Sequence, residues 1–315
     1  MGKAAGAAAS ERTPSGRVPS GEYYGEWHGH RPEHLRHVHD TVRGEQQQRV
    51  LWLLGDSSLD NKAWIHKAIA EAPLGYKHVL KPARSVQDVC YWLNRREEKH
   101  RAGVVCINAA VEASTLRSRR SWLPGRSTLW PQEKVFAEHL AEGDLVAISC
   151  GCNDIAMAPT PLTALNLLLI ARETPERIRN GKAWGLRHFE SLFVDGLQRY
   201  IEDVLREAKA RPRRVAICSI YFPAIDGSGW ADRALGALKY SEHPEKVHLL
   251  LRTLHERAIK RVRVPGVETV HVPFYEALDF RDPTDYVARV EPSEKGGKKM
   301  AAALWRALVE PDAAS

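Results

Sequence analysis

The stretch Val50-Leu-Trp-Leu-Leu-Gly55, followed by Asp56-Ser57-Ser58-Leu59-Asp60-Asn61, decides the fold class. Five apolar residues in a row before a glycine are typical of a strand that is buried on both faces. Polar and small residues follow at once, as expected where such a strand ends in a turn. The sequence therefore predicts a strand over residues 50–55 with a polar turn at its carboxyl end.

The same alternation of apolar runs and amphipathic stretches continues along the chain. Strands are predicted at 50–55, 76–80, 103–108, 144–149, 213–219 and 267–272. Helices are predicted at 60–71, 85–100, 131–141, 187–210, 244–262 and 294–309. Apolar strands separated by helices favour a parallel sheet covered on both faces, and right-handed crossovers then give an α/β fold, a three-layer α/β/α sandwich. In such sheets ligands bind beyond the carboxyl ends of the strands.

The chain divides into three parts. Residues 1–21 are rich in Ala, Gly, Ser and Pro, which predicts a disordered tail. Residues 22–49 contain a short helical stretch and are expected to dock on the domain that follows, over residues 50–310. Two segments interrupt the regular alternation, 155–186 and 222–243. Because both follow strands, they are candidates for lids or specificity loops over the carboxyl ends.

Composition excludes several classes of protein. The 315 residues are 43% hydrophobic and 27% charged, which is ordinary for a globular protein and excludes a fibrous or wholly disordered chain. The longest apolar stretch, near residues 162–171, is far shorter than the roughly 20 residues that span a bilayer, so no membrane span is expected. Five cysteines without a Cys-x-x-Cys pair, and no secretion signal, favour buried thiols in a cytoplasmic protein.

The formal charge of +7 is concentrated in one region. Residues 81–126 hold ten basic and four acidic side chains, an excess of 10 − 4 = +6. A solvated face is the ordinary interpretation, and a site for acidic ligands is the more specific one.

Three further polar blocks follow predicted strands or precede the last helix. They are Asn108-Ala-Ala-Val-Glu-Ala113, Gly151-Cys-Asn153-Asp154, and Glu291-Pro-Ser293-Glu-Lys-Gly-Gly297. With the turn after residue 55, they would lie on one face of the sheet. Four polar loops on the same face are hard to explain by packing alone.

The ordered set of blocks resembles the motifs of the SGNH (GDSL) hydrolases. The blocks are, in order, Gly-Asp-Ser, Asn with a small-residue loop, Gly-x-Asn-Asp and Pro-Ser-x-x-Gly-Gly. The resemblance covers about residues 50–310 and implies a flavodoxin-like parallel sheet. It also implies a carboxylic-ester hydrolase that cleaves an ester, thioester or acetyl group of a small molecule. No metal or organic cofactor is expected for this chemistry. The family is broad, so the resemblance does not name the substrate.

The resemblance assigns roles position by position. Ser57 matches the nucleophile, and its N–H is one donor of the oxyanion hole. Asn153 matches the side-chain donor, and Ala113 stands where the family has a glycine whose N–H is a further donor. An alanine keeps that N–H, provided that the loop needs no positive φ. Supporting roles are expected for six residues: Asp56, Asp60, Asn61, Asn108, Asp154 and Ser293.

The last block departs from the family pattern. The family has Asp-x-x-His before Pro-Ser, with the histidine as general base, whereas this chain has Ala288 and Glu291. Neutral imidazole suits proton abstraction near pH 7, and a free carboxylate is a poorer base. In the first of three hypotheses, Glu291 is the base and burial raises its pKa.

In the second hypothesis a histidine from elsewhere replaces the base, and the candidates are His28, His30 and His271. In the third, the site has lost turnover and the domain is a pseudoenzyme that serves as a binding or structural subunit. The presence of both Ser57 and Asn153 favours the first two hypotheses together, because a decayed site need not keep both.

Two further patterns have ordinary explanations. His34 and His37 lie at i, i+3 spacing, but no cysteine is near, so a polar docking helix is favoured over a zinc site. The 117–126 segment carries four basic residues beside tryptophans: Arg117, Arg119, Arg120 and Arg126. No nucleic-acid motif accompanies them, which disfavours that class of partner. A solvated loop is favoured over contact with an anionic substrate or a protein partner.

Overall fold

A five-stranded parallel sheet forms the centre of the fold. The computed structural model describes residues 16–46, 48–120 and 128–310. The strands are β1 (Arg49–Gly55), β2 (Val104–Asn108), β3 (Leu145–Ser149), β4 (Arg214–Cys218) and β5 (Glu268–Val272). The sheet order is β2-β1-β3-β4-β5, and every neighbouring pair is parallel. This is the flavodoxin-like order, so the predicted fold class is confirmed.

Helices cover both faces of the sheet. The helices of the fold are α1 (Pro32–Gln46), α2 (Val89–His100), α3 (Pro131–His139), α4 (Cys152–Ala156), α5 (Pro161–Ala171), α6 (Pro175–Arg179), α7 (Leu186–Glu207), α8 (Asp232–Ala237), α9 (Pro244–Arg257) and α10 (Glu294–Leu308), and the longer ones form the two covering layers. Helices α2 and α10 pack together in one layer. Helices α1, α3 and α7 pack in sequence in the other. The right-handed crossover rule places helices on both sides in this way.

The core lies between these layers. Every residue of β2, β3 and β4 is buried, as expected for strands covered on both faces. Trp52 of β1 has no exposed surface, and its ring meets that of Phe136 from α3 edge to face at 5.6 Å between centroids. The apolar runs that predicted the strands therefore also supply the centre of the core.

Two predicted elements are wrong. The predicted strand at 76–80 is a helical turn, Tyr76–Val79, followed by the short strand Leu80–Lys81. The predicted helix at 60–71 is a 3₁₀ turn, Asn61–Ala63, and a strand, Ile69–Glu71, which pairs antiparallel with Arg84–Val86. The side chains of Asp60, Asn61 and Lys62 are fully buried and hydrogen-bonded. These polar contacts fix the backbone in place of a helical ladder.

The N-terminal segment is more ordered than the sequence predicts. Residues 1–15 lie outside the described ranges. Val18–Pro19 pairs in parallel with Leu80–Lys81, and Ser20–Tyr23 is helical, so the predicted tail is wrong for residues 18–21. Helix α1 then packs against α3 and β2, burying Leu35, Val38 and Val42.

The two predicted insertions hold helices of their own. Helices α5 and α6 lie in 155–186, and α8 lies in 222–243. A two-residue antiparallel pair, Tyr286–Val287 with Glu291–Pro292, precedes α10. All five cysteines are free thiols. Within the described ranges, no helix has the length and apolar character needed to cross a membrane.

Candidate active site

The candidate site lies where the strand order reverses. The chain crosses from β1 to β2 on one side and later places β3 on the other side of β1. Ser57 follows β1, and Asn153 follows the neighbouring β3, so both loops meet at the same edge of the sheet. This crevice is where open parallel sheets bind ligands.

Gly55 allows the chain to turn toward Ser57. Its φ is +127°, and a Cβ on this residue would lie 1.7 Å from the Ser149 carbonyl oxygen. No other residue type fits there, because both the conformation and the space require glycine. The Asp56 N–H donates to the same carbonyl at 3.0 Å, so the turn is fastened to β3.

The side chain of Asp56 also stabilises the turn, through Ser58. One oxygen of its carboxylate accepts from the Ser58 N–H at 3.1 Å and from the Ser58 hydroxyl. Ser58 also accepts a hydrogen bond from Ser149 Oγ at 3.0 Å. Ser57 is therefore held between two residues whose positions are fixed by β1 and β3.

Glu291 reaches Ser57 from the far end of the sequence. The Ser57 hydroxyl donates to Glu291 Oε1 at 3.3 Å, and Trp230 Nε1 donates to the same oxygen at 2.8 Å. Glu291 is buried, and its Oε2 has no hydrogen-bond partner. The structure thus brings together a serine hydroxyl and a carboxylate that tryptophan orients.

Burial raises the pKa of three carboxyl groups in or near the site, those of Glu291, Asp56 and Glu112. The pKa of Glu291 rises from 4.5 to about 7 because burial disfavours its charged form. The hydrogen bonds from Trp230 and Ser57 oppose this rise, and the charge of Asp56 adds a smaller contribution to it. Burial likewise raises the pKa of Asp56 to about 6. The pKa of Glu112 rises to about 9 through burial and the nearby charge of Glu291. Near neutral pH, Glu291 therefore exchanges between its protonated and ionised forms, whereas Glu112 is protonated.

The loops after β2 and β3 supply two of the candidate oxyanion donors, Ala113 and Asn153. Asn153 Nδ2 donates to the Ser114 carbonyl at 3.0 Å, which fixes the amide beside the loop after β2. Asp154 accepts from the N–H groups of Leu116 (2.8 Å) and Arg117 (3.1 Å) and so holds the same loop. The structure therefore joins the second and third polar blocks, while the donor roles of Ala113 and Asn153 stay predictions.

Ala113 has a left-handed backbone with φ at 56°. Alanine is expected to be tolerated here only if the loop needs no positive φ. The loop does need one, and in this region the Cβ of an L-residue clashes with the backbone. Ala113→Gly is expected to stabilise the fold by about 1 kcal/mol. Denaturant unfolding measures the difference.

Ala277→Gly is the matched control for that substitution, since Ala277 has an ordinary φ of −83°. Glycine there is expected to destabilise the fold by about 0.5–1 kcal/mol. Equal effects of the two substitutions would contradict the strain at Ala113.

The remaining predicted supporting residues join the loops. Asp60 accepts from the N–H groups of Gly29 (3.0 Å) and Glu112 (2.9 Å). Asn61 Nδ2 donates to the Pro292 carbonyl at 3.0 Å, which ties the first block to the last. Asn108 Nδ2 donates to the Leu59 carbonyl at 2.9 Å. Ser293 caps α10 by accepting from the Gly296 N–H at 3.1 Å.

The histidines considered as substitute bases make their hydrogen bonds elsewhere. His28 Nδ1 bonds to the Glu112 carbonyl at 2.9 Å, and His30 Nδ1 bonds to the Tyr23 carbonyl at 2.7 Å. His271 Nε2 bonds to the Val262 carbonyl at 3.0 Å. The carboxylate at 291 is the titratable group that the structure places on the Ser57 hydroxyl.

Arg119 does not belong to an exposed basic loop. Its side chain is buried and forms an ion pair with Glu133 at 2.6 Å. Its guanidinium also donates to the carbonyl oxygens of Gly55 and Thr115, each at 3.0 Å. The expectation of a solvated loop over 117–126 is therefore wrong for Arg119. Arg117 and Arg120 are exposed, and residues 121–127 lie outside the described ranges.

The site has a small pocket that sequence reasoning did not outline. Its volume is about 20 Å³, room for about one water molecule. Its lining includes Ser57, Asn153 and Glu291 together with Cys152, Cys218, Tyr221 and Trp230. Trp230 is the main residue missed by sequence reasoning. Its position in the 222–243 insertion, over the carboxyl ends of the strands, is the signal that could have found it.

One group of possible metal ligands lies at the contact between α1 and α3. Among the described residues, His39, Asp40 and His139 offer ligand atoms within 4.8 Å of one another. His39 Nδ1 is already bonded to Asp40 at 3.1 Å. The predicted alternative at His34 and His37 does not coincide with this group. His34 instead stacks on Tyr23, with ring centroids 6.1 Å apart.

Comparison with known proteins gives structural neighbours. No protein-family model and no curated protein matches the sequence. The family 3 carbohydrate esterase of Clostridium thermocellum aligns at 13% identity over 82% of this chain and 94% of its own, with a TM-score of 0.38. The acetylxylan esterase Axe2 of Geobacillus stearothermophilus aligns at 13% identity over 82% and 93%, also with a TM-score of 0.38.

A member of the lipolytic G-D-S-L family from Veillonella parvula aligns at 12% identity over 82% of this chain and 97% of its own. Its TM-score is 0.36. GDSL and carbohydrate esterases are thus among the solved structures to which the chain aligns. The similarity is too low to transfer the reactions of these proteins to this chain.

Proposed function

We propose that the protein is a serine esterase in which Ser57 is the nucleophile and Glu291 the general base. The contact of 3.3 Å between the Ser57 hydroxyl and Glu291 Oε1 carries the proposal. Two further observations support it. The pKa of Glu291 is raised to about 7, and the Trp230 hydrogen bond fixes the direction of its carboxylate.

In the proposed reaction, the Ser57 proton passes to Glu291 as Oγ bonds to the acyl carbon. The carbonyl oxygen becomes an oxyanion, which the N–H groups of Ser57 and Ala113 and the amide of Asn153 would stabilise. Collapse breaks the ester bond, and the leaving alcohol takes the proton from Glu291. Water then attacks the acyl-serine and gives a proton to Glu291. The bond between the acyl carbon and Ser57 Oγ breaks, Oγ takes that proton back from Glu291, and the acid is released.

The size of the pocket guides the choice of first substrate. The volume of about 20 Å³ at Ser57, room for about one water molecule, disfavours a bulky acyl group. Aryl acetates are therefore the substrates to test first. The natural alcohol is a separate question that panels of acetylated compounds would address.

A fluorophosphonate probe tests the nucleophile directly. The expected result is covalent labelling of the wild-type protein at Ser57, located by peptide mass spectrometry, and no labelling of Ser57→Ala. Ser58→Ala is the matched control, because this neighbouring hydroxyl bonds to Asp56 rather than to Glu291. Labelling that persists in Ser57→Ala would contradict the proposed nucleophile.

The second candidate is a catalytically impaired domain that binds or scaffolds. It is favoured by Ala288, which leaves Glu291 without the aspartate of the SGNH pattern, and by an Oε2 that has no partner. Absence of probe labelling and of aryl acetate hydrolysis between about pH 4 and 9 would favour this candidate over the esterase.

The activity is expected to rise with pH. Glu291 accepts a proton only when it is ionised, so kcat/KM should fall about tenfold per pH unit below the pKa of about 7. The Asp56 carboxylate contributes to raising the pKa of Glu291, so Asp56→Asn should move the acidic limb of the pH–rate profile to lower pH. Rate profiles of both proteins measure the shift. If the acidic limb of the profile did not move, its pKa would belong to a group other than Glu291.

A further inference from the structure

Helix α5 presents an apolar ridge to the surface. Leu162, Leu165 and Leu168 recur at i, i+3 and i+6, and their exposed fractions are 58%, 54% and 46%. The opposite side of the helix packs inward through Thr163, Leu167 and Ile170. An 11-residue helix that is apolar on both its buried and its solvent face is unusual for a protein surface.

Other exposed apolar residues concentrate around the same helix. In the described part of the chain, seven large apolar side chains are exposed, and five of them lie between residues 157 and 184. Besides the three leucines, they are Met157 and Trp184. Trp184 is 67% exposed and lies beside α5, since the neighbouring Gly185 closely approaches the Asn166 carbonyl.

Arginines flank the ridge on both sides. A groove of about 410 Å³ on one side is lined by Leu162 together with Arg117, Arg120 and Arg199. A groove of about 540 Å³ on the other is lined by Leu168 together with Arg233. All four arginines are exposed, and none has a carboxylate within ion-pair distance among the residues that the structure describes.

Further basic residues follow the ridge at its C-terminal end. Arg172, Arg179 and Lys182 are exposed and lie between the end of α5 and Trp184. The nearby Glu173 is already neutralised by Arg177 and by the Trp184 N–H. Exposed acids are fewer, chiefly Asp195 in the first groove and Glu176 on α6. The surroundings of the ridge are therefore net basic.

We propose that this face, the α5 ridge with Met157, Trp184 and their basic rim, docks the protein on an anionic lipid surface. Protruding leucines and a tryptophan suit the boundary between acyl chains and headgroups, and arginine side chains there reach lipid phosphates. A ridge between two grooves projects outward, which favours a deformable lipid surface over a rigid partner. The docking is independent of the chemistry proposed at Ser57.

Vesicle sedimentation tests the docking with the full chain. Wild type is expected to sediment with phosphatidylcholine vesicles that contain about one-third phosphatidylglycerol, and weakly with phosphatidylcholine alone. Raising salt from about 0.1 M to about 0.5 M should weaken binding, because the basic rim is screened. The triple variant Leu162→Ser, Leu165→Ser, Leu168→Ser should bind at least about tenfold more weakly.

Matched controls distinguish binding through this face from binding through any exposed apolar side chain. Trp184→Ser should weaken binding, whereas Trp27→Ser and Ile69→Ser should not, because those exposed side chains lie outside this face. Ser57→Ala should bind as the wild type does, so a failed esterase proposal leaves this test intact. Thermal unfolding of each variant confirms that it folds.

Two results would overturn the proposal. The first is wild-type protein that stays in the supernatant with anionic vesicles, or a triple variant that binds equally well. The second is a concentration-dependent dimer, seen by sedimentation velocity without lipid, that the triple substitution abolishes while vesicle binding is absent. That outcome would assign the ridge to a second copy of the chain.

Discussion

Glu291→Gln is expected to lower kcat/KM for an aryl acetate by about 10²–10⁴-fold, the usual contribution of a general base. Glutamine has nearly the same shape and can still accept the Trp230 hydrogen bond. It cannot take the Ser57 proton, so the loss would report the chemistry rather than the shape of the site. Steady-state rates at about pH 8, where the carboxylate of the wild type is ionised, measure it.

The same substitution is expected to stabilise the fold at alkaline pH. The pKa of Glu291 in the folded protein, about 7, lies above the ordinary value of 4.5. Between these values the folded protein keeps a proton that the unfolded chain loses, so stability falls as pH rises from 4.5 toward 7. Glutamine removes this cost, on the order of 3 kcal/mol at pH 8 and little at pH 4.

Two other variants sharpen the interpretation. Glu112→Gln is the matched control for the rate, because the raised pKa of about 9 already keeps this neighbouring carboxyl neutral at pH 8 in the folded protein. Glu291→His restores a base and should recover part of the rate. A Glu291→Gln protein that is more stable at pH 8 yet hydrolyses the ester at the wild-type rate would eliminate Glu291 as base.

Arg119→Ala is expected to destabilise the fold by about 3–5 kcal/mol, because it leaves Glu133 buried without its cation. The guanidinium lies 2.6 Å from Glu133 and 4.5 Å from the centre of the Tyr200 ring. It also donates to the Gly55 carbonyl, directly before the turn that carries Ser57. Loss of Arg119 would therefore reduce both stability and the order of the candidate site.

Denaturant unfolding measures the effect, and Arg120→Ala is its matched control. Arg120 is adjacent but exposed, so its removal should change stability by less than about 0.5 kcal/mol. A double-mutant cycle with Glu133→Ala should show coupling of more than about 1 kcal/mol. Equal effects of the two arginine substitutions would show that the buried ion pair contributes no net stability.

Much of the fold follows from local patterns. The apolar runs at 50–55, 103–108, 144–149, 213–219 and 267–272 all form strands of the central sheet. One segment whose backbone is fixed by buried polar contacts was predicted wrongly. At 60–71 the hydrogen bonds of Asp60, Asn61 and Lys62 replace the helical ladder, and no pattern of apolar spacing reports such bonds.

By itself the sequence determined the parallel α/β class and placed Ser57 and Asn153 after the carboxyl ends of two strands, because strand periodicity and crossover handedness are local rules. Only the tertiary structure decided that Glu291 meets the Ser57 hydroxyl, 234 residues away, and that Trp230 fixes it there. It also decided that Arg119 is buried. These features depend on which distant segments pack together and exclude water, and burial of that kind sets the pKa and hydrogen bonding of each side chain.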